Sequence, residues 1–158
     1  MNIYVLNYDP VKNAQSLSDK HLVKQVDDVA TLLCNAYPNR VAPRLRRHFD
    51  HPCTQWVRQS RLNFQWTIQC GLALLDEYEF RFGKYHPANA VIYWCRSKSY
   101  TLGALPWTEQ MTPFPMIMPD QYKTLNVVNS YREFYMEQKW LFCTWTKRER
   151  PTWFKWKW

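Results

Sequence analysis

The sequence predicts an all-α protein: one compact domain, residues 1–158, of three main helices joined by Pro-rich loops. Two observations carry that expectation. Apolar residues recur at three- and four-residue steps through stretches 16–35, 54–83 and 120–145. Only Ile3 to Leu6 reads as a short apolar run, and no second strong strand pattern is present to pair with it.

Ile3–Leu6 is therefore expected as an extended arm packed against helices, with the chain terminus drawn inside. Asn7-Tyr8-Asp9-Pro10 follows as a turn signal. An α-amine titrates near pH 8, so that of Met1 is an amine available as a nucleophile near neutrality. Asn2 is too large to favour removal of the initiator Met, so Met1 is expected to remain.

The first main helix runs from Ser16 to Asn35. Ser16 and Asp19 have capping-box spacing, and Ser18 or Asp19 serves equally as N-cap. Val23, Val26, Ala30, Leu33 and Tyr37 supply the buried stripe. On the opposite side His21, Lys24, Gln25 and Asp28 fall at i, i+3, i+4 and i+7, so an imidazole, an ammonium, an amide and a carboxylate share one face. Periodicity alone makes this a solvated face with a Lys24–Asp28 pair.

Pro38 to Pro52 is a loop or short helix carrying Arg40, Arg44, Arg46 and Arg47, with Pro43 among them and His48 next. Guanidinium forks match phosphate oxygens, which suggests a phosphate clamp; a solvated basic loop is the alternative. Thr54 to Gly83 reads as the second main helix, with Gly83 as its C′ residue. Ser60, Asn63 and Thr67 share a face best suited to helix packing, and Arg58 and Arg61 extend the basic surface. A short helix is expected near Asn89–Cys95, then an extended strap over Thr112–Pro119, where prolines push their predecessors out of the α region. Asp120 to Trp145 is the third main helix, with Leu125, Val128, Tyr131, Phe134 and Tyr135 facing inward.

The chain closes on a basic aromatic tail, 147–158. Cations interleaved with rings suit a nucleic-acid surface, where phosphates meet Lys or Arg and unstacked bases meet aromatic faces. A membrane-surface tail and a tail packed back on the core are the alternatives. Net charge of +8, with 9 Trp, 10 Tyr and 8 Phe, favours a polyanionic partner over a neutral metabolite. The 5 cysteines are odd in number and contain no Cys-x-x-Cys pair, so they read as reduced, mostly buried thiols. His48-x-x-His51-x-Cys53 fits no strong metal template, and neither metal nor cofactor is expected. No signal-peptide pattern or long apolar run is present, so a soluble cytoplasmic protein is expected.

Three blocks in this order resemble the bacteriophage endonuclease V family, the pyrimidine-dimer DNA glycosylases. Asp19-Lys-His-Leu, with a carboxylate seven residues after His21, is similar to that family's first-helix motif and its catalytic acid. Arg150-Pro-Thr-Trp-Phe-Lys155 resembles its C-terminal signature. His51-Pro-x-Thr54 resembles the entry to its middle helix, and Glu137-Gln-Lys139 its last helix.

The resemblance implies a compact all-α fold acting as a monomer on double-stranded DNA in a host cytoplasm, without cofactor. It implies a DNA glycosylase with abasic lyase activity on a damaged or modified base flipped from the duplex. Carried over, Met1 supplies the nucleophilic amine, Asp28 the catalytic carboxylate, and His21 a positioning or DNA-contacting group, with Lys24 beside them. Arg44, Arg46, Arg47, Lys139, Arg150, Trp153, Phe154 and Lys155 are the expected DNA contacts. The family's acid is a glutamate where this chain has Asp28, and its arginines beside and after the acid correspond to Asp27 and Thr31. Two other functions fit the same residues. One is a phage transferase acting on a hydroxymethylated pyrimidine, with Lys24 and Asp28 in acid–base roles. The other is a non-catalytic DNA-binding module.

Overall fold

The computed structural model describes residues 1–103 and 105–156, and among these residues the regular structure is helical, with no strand. The helices are α1 (Pro10–Ser16), α2 (Asp19–Cys34), α3 (Pro52–Gln59), α4 (Arg61–Phe82), α5 (Asn89–Ser97) and α6 (Val127–Gln138), with single 3₁₀ turns at Ser99–Thr101, Asp120–Tyr122 and Trp140–Phe142.

α1 stands where the sequence suggested only a turn. Asp9 caps it by accepting the Lys12 N–H at 2.8 Å, and Pro10 occupies the first turn, where its missing N–H has no cost. The expected second helix is two. Ser60 leaves the helical region (φ −152°, ψ 159°) and its hydroxyl accepts the Asn63 N–H at 3.1 Å, starting α4. Asn63 Nδ2 turns back to the Trp56 carbonyl at 2.8 Å, satisfying the end of α3. Asn63 and Thr67 are fully buried, so this face serves packing as expected. α4 then runs to Gly83, whose φ of +66° makes the left-handed cap that glycine favours.

α4 is the central element, with α1, α2, α3 and α5 packed around it. At Gly71 side chains of α2 and α5 press on α4: a Cβ there would meet Ile92 Cγ2 at 3.1 Å and Val29 Cγ1 at 3.2 Å. The third expected helix shortens to α6, because Asn126 caps a new start by accepting the Asn129 N–H at 3.0 Å. Leu125 therefore precedes the helix and points into solvent rather than into the core. All five cysteines are buried and free. No helix among the described residues is long and apolar enough to cross a membrane.

The N-terminal arm has no strand partner, and side-chain amides take that role. Gln25 Nε2 donates to the Asn2 carbonyl at 2.7 Å while its Oε1 accepts the Tyr4 N–H at 3.1 Å. Asn13 Nδ2 donates to the Tyr4 carbonyl at 3.0 Å while its Oδ1 accepts the Leu6 N–H at 2.7 Å. An unpaired buried backbone group costs about 1–3 kcal/mol, so these two amides are what permit a buried arm. The strap crosses the other side of the arm: Asn2 Nδ2 donates to the Ile117 carbonyl at 3.1 Å, and Phe114 stacks on Trp56 at 4.7 Å.

The C-terminal segment folds back on the helices. Asp19 accepts the Thr144 and Thr146 hydroxyls, each at 2.9 Å, and Trp145 Nε1 donates to the Ser16 carbonyl at 3.1 Å. Arg81, fully buried, donates to the Leu17 and Gln15 carbonyls at the end of α1 and pairs with Glu77 at 2.7 Å and Asp19 at 3.1 Å. Glu77 also holds Arg148 at 2.9 Å. Phe154 is 1% exposed, inside a ring cluster with Trp145, Trp153 and Trp156. The tail is thus anchored on the core by Phe154, while Lys147, Glu149, Arg150, Thr152 and Lys155 remain exposed; Lys157 and Trp158 lie outside the described residues.

Candidate functional site

α2 positions the candidate residues, but its polar face is divided differently from the expected one. Val23, expected inside, is 40% exposed, whereas His21 and Gln25 are buried. The physical reason is the arm: its backbone needs Gln25, and its Tyr4 ring needs a flat neighbour. Tyr4 and His21 lie with ring centroids 4.7 Å apart, and Tyr135 and Phe142 close the rest of the imidazole. His21 Nδ1 is 2.7 Å from the Tyr135 hydroxyl, which also accepts the Ser18 N–H at 2.9 Å. Burial, and then the Lys139 and Lys24 charges, push the imidazole down to about 4. His21 is therefore a neutral packing group at physiological pH. Its burial corrects the expectation of a DNA contact and leaves a positioning role on Tyr4.

One turn beyond Gln25, the face opens. Lys24 Nζ lies 2.5 Å from Asp28 Oδ2, with the two side chains 56% and 17% exposed. Gln25 and Asp28 are i, i+3 neighbours, and Gln25 grips the Asn2 carbonyl, so the residue after Met1 is held one helical turn from Asp28. The charges agree with this. Burial lowers His51, followed by the positive Met1 amine and His48, while Asp28 pulls it the other way. Burial raises Cys53 to about 11, with the Ile3 N–H and the Met1 amine opposing and Asp28 adding to the rise. Tyr4 is raised to about 12 by burial and then by Asp28. Met1 and Asp28 thus act on the same two side chains at the start of α3. His51 Nδ1 accepts the Cys53 N–H at 3.1 Å, which leaves Nε2 to carry the proton in the neutral ring.

The arginine loop reaches the same helix. Arg44 pairs with Asp27 at 2.8 Å and lies 3.4 Å from Thr31 Oγ1. A guanidinium from the loop therefore covers Asp27 and Thr31 on α2. Arg44, Arg47, Asp27, Thr31 and Leu45 line a cavity of about 340 Å³. Arg46 and Arg58 both stack on Phe49, at 4.4 and 3.9 Å from its centroid. Arg44 is engaged with a carboxylate rather than open for a phosphate, and Arg47 is the more available cation.

The remaining expected contacts lie with α6 and the tail. Lys139 sits 5.3 Å from the Phe134 ring and Arg150 5.9 Å from that of Trp156. Lys155 is exposed and Trp153 half-buried, so both remain available to a ligand; Phe154, as core, does not. Asn13, Tyr4, His51 and Cys53 escaped the sequence reading as site-building residues, and Gln25 was read on the polar face but not as a clamp on the arm. His51 and Cys53 had a signal in His48-x-x-His51-x-Cys53, and His51 also in His51-Pro-x-Thr54. Among the described residues no group of three or more His, Cys, Asp or Glu side chains is arranged to hold a metal ion.

Comparison with family models, curated proteins and solved structures gave no match to any of them.

Proposed function

We propose that this protein processes DNA through its N-terminal amine, as a glycosylase with abasic lyase activity on a damaged or modified base, in the manner of the endonuclease V family it resembles. The observation that carries the reading is the clamp: Gln25 fixes Asn2, and the Met1 amine and Asp28 act on the same His51 and Cys53. The amine attacks C1′ of the target nucleotide, and the C1′–N bond breaks with the base taking the electron pair and a proton. Asp28 stabilises the positive charge that develops on the sugar. The sugar ring then opens at C1′–O4′, O4′ taking the electron pair and the proton released by the amine, to give an imine; this acidifies C2′–H, and loss of that proton expels the 3′ phosphate and cleaves the strand. Substrate is a duplex with a flipped nucleotide, and the +8 charge supports attraction to it.

The 2.5 Å Lys24–Asp28 contact favours a second reading, a transferase in which that pair relays a proton to a pyrimidine hydroxymethyl group and no imine forms. Cleavage of duplex DNA bearing an abasic site separates the two. Asp28→Asn is expected to lose cleavage by more than about 100-fold while still binding DNA, as loss of a general acid–base group does. Full cleavage by Asp28→Asn, or none by the unmodified protein, would remove the lyase reading.

A further inference from the structure

A second cleft, of about 580 Å³, lies between α1, α6 and the turn after Thr146, well suited in size to a small ligand. Lys12, Arg132, Lys147, Arg148, Glu149 and Trp153 are among its walls. Arg148 is committed to Glu77 at 2.9 Å. The other three cations are not: among the described residues no carboxylate lies within 4.0 Å of Lys12, Arg132 or Lys147.

Two of the three are nevertheless held in place. Arg132 Nε donates to the Leu6 carbonyl at 2.9 Å, and its guanidinium carbon lies 5.2 Å from the centre of the Trp153 ring. Lys147 Nζ donates to the Phe80 carbonyl at 3.2 Å from a backbone with φ of +57°, a left-handed conformation that a lysine rarely adopts. Cations ordered by neutral carbonyls, beside a half-buried ring and with no carboxylate within 4.0 Å among the described residues, form a site prepared for an external anion. Burial also lowers the Arg132 pKa, a penalty that a bound anion would offset.

We propose that this cleft holds a backbone phosphate of the DNA strand against Lys12, Arg132 and Lys147, with Trp153 as a plate for the adjoining sugar or base. This rests on the reading that DNA is the substrate; it adds Lys12 and Arg132 as contacts that the sequence did not suggest and gives Lys147 of the basic tail a place in the same cleft. A strand is favoured over a free nucleotide because the basic surface continues beyond the cleft, through the exposed Arg150 and Lys155. Glu149 is the one acidic wall residue and opposes an anion, which gives the test an arm of opposite sign.

The test is salt-dependent binding of a short fluorescent duplex, followed by anisotropy. Lys12→Gln/Arg132→Gln/Lys147→Gln is expected to flatten the slope of log affinity against log salt by ~0.9, the release of one phosphate. Lys12→Gln/Lys147→Gln, which alters only exposed side chains and spares the Arg132–Leu6 bond, should flatten it in the same direction if the triple variant does not fold. Glu149→Gln should tighten binding. Unchanged slopes in the variants, with the unmodified protein still binding, overturn the cleft and leave the DNA reading standing. Absence of salt-dependent binding by the unmodified protein overturns both. Unchanged duplex slopes together with saturable binding of a mononucleotide, lost in the double variant, would assign the cleft to a free nucleotide and overturn the proposal.

Discussion

The first turn of α2 and the middle of the same helix are built in opposite ways. At its start, Asp19 and His21 face inward and are saturated with partners: Arg81, Thr144 and Thr146 for one, Tyr4, Tyr135 and Phe142 for the other. Between one and three turns along, Lys24 and Asp28 have each other and partial exposure, and Gln25 beside them holds Asn2. Both regions contribute to the motif that resembles endonuclease V, yet only the second has the freedom that chemistry on a large substrate requires. Within one short stretch, Asp19 ties down the tail, while Asp28, nine positions on, stays partly open, as the proposed reaction requires.

Breaking the closed end should have the largest effect. Arg81→Met leaves Glu77 and Asp19 without their buried partner, and loss of one member of a buried ion pair costs about 3–5 kcal/mol. Chemical denaturation checks this; a loss below about 1 kcal/mol would mean that the network does not lock the tail.

His21 gives the closed end a pH signature. Its folded value, about 4, lies below the ordinary 6.5, so the unfolded chain takes up the proton first. The contribution is complete above pH 6.5 and is lost as pH falls towards 4, with a span on the order of 3 kcal/mol. His51 and His86 shift in the same direction, so His21→Leu should reduce the decline rather than abolish it. A variant with the same pH profile as the parent would contradict a neutral buried imidazole.

Gln25 joins the two regions. Gln25→Ala leaves the Asn2 carbonyl and Tyr4 N–H unpaired, which is expected to cost about 1–3 kcal/mol in thermal or chemical unfolding. It should also lower cleavage more than it lowers DNA binding, because it loosens the Met1 placement and not the basic surface. Equal losses in both would show that the clamp serves stability alone.

The smallest effect belongs to Asp19 at low pH. Burial opposes its ionisation, but hydrogen bonds from the Thr146 N–H, the Thr144 and Thr146 hydroxyls and Arg81 together hold it below the ordinary carboxylate value. Its contribution is therefore full above the unfolded value and fades as pH falls through the folded one. The stability gap between the parent and Asp19→Asn should be constant near neutrality and shrink below about pH 4, where an unfolded Asp begins to take up protons.

Periodicity made the all-α class legible, and Gly83, the buried arm and the proline-bearing strap were read correctly from local chemistry. The break at Ser60 was not, because a hydroxyl that caps and one that merely packs look alike in sequence. The orientation of α2 was misjudged for a related reason. His21 and Gln25 count as polar in any moment, but here an arm distant in sequence supplies their partners, and Val23 is displaced outward. Phe154 shows the same limit: alternating rings and cations mark a surface only until the rings find a core.

The most direct measurement is borohydride reduction of the protein with DNA carrying an abasic site, followed by mass-spectrometric mapping of the adduct. The proposed chemistry predicts one cross-link on the α-amine of Met1, absent after that amine is acetylated. A cross-link on Lys24 or another lysine with Met1 unmodified, or no cross-link to DNA that the protein demonstrably binds, would contradict it.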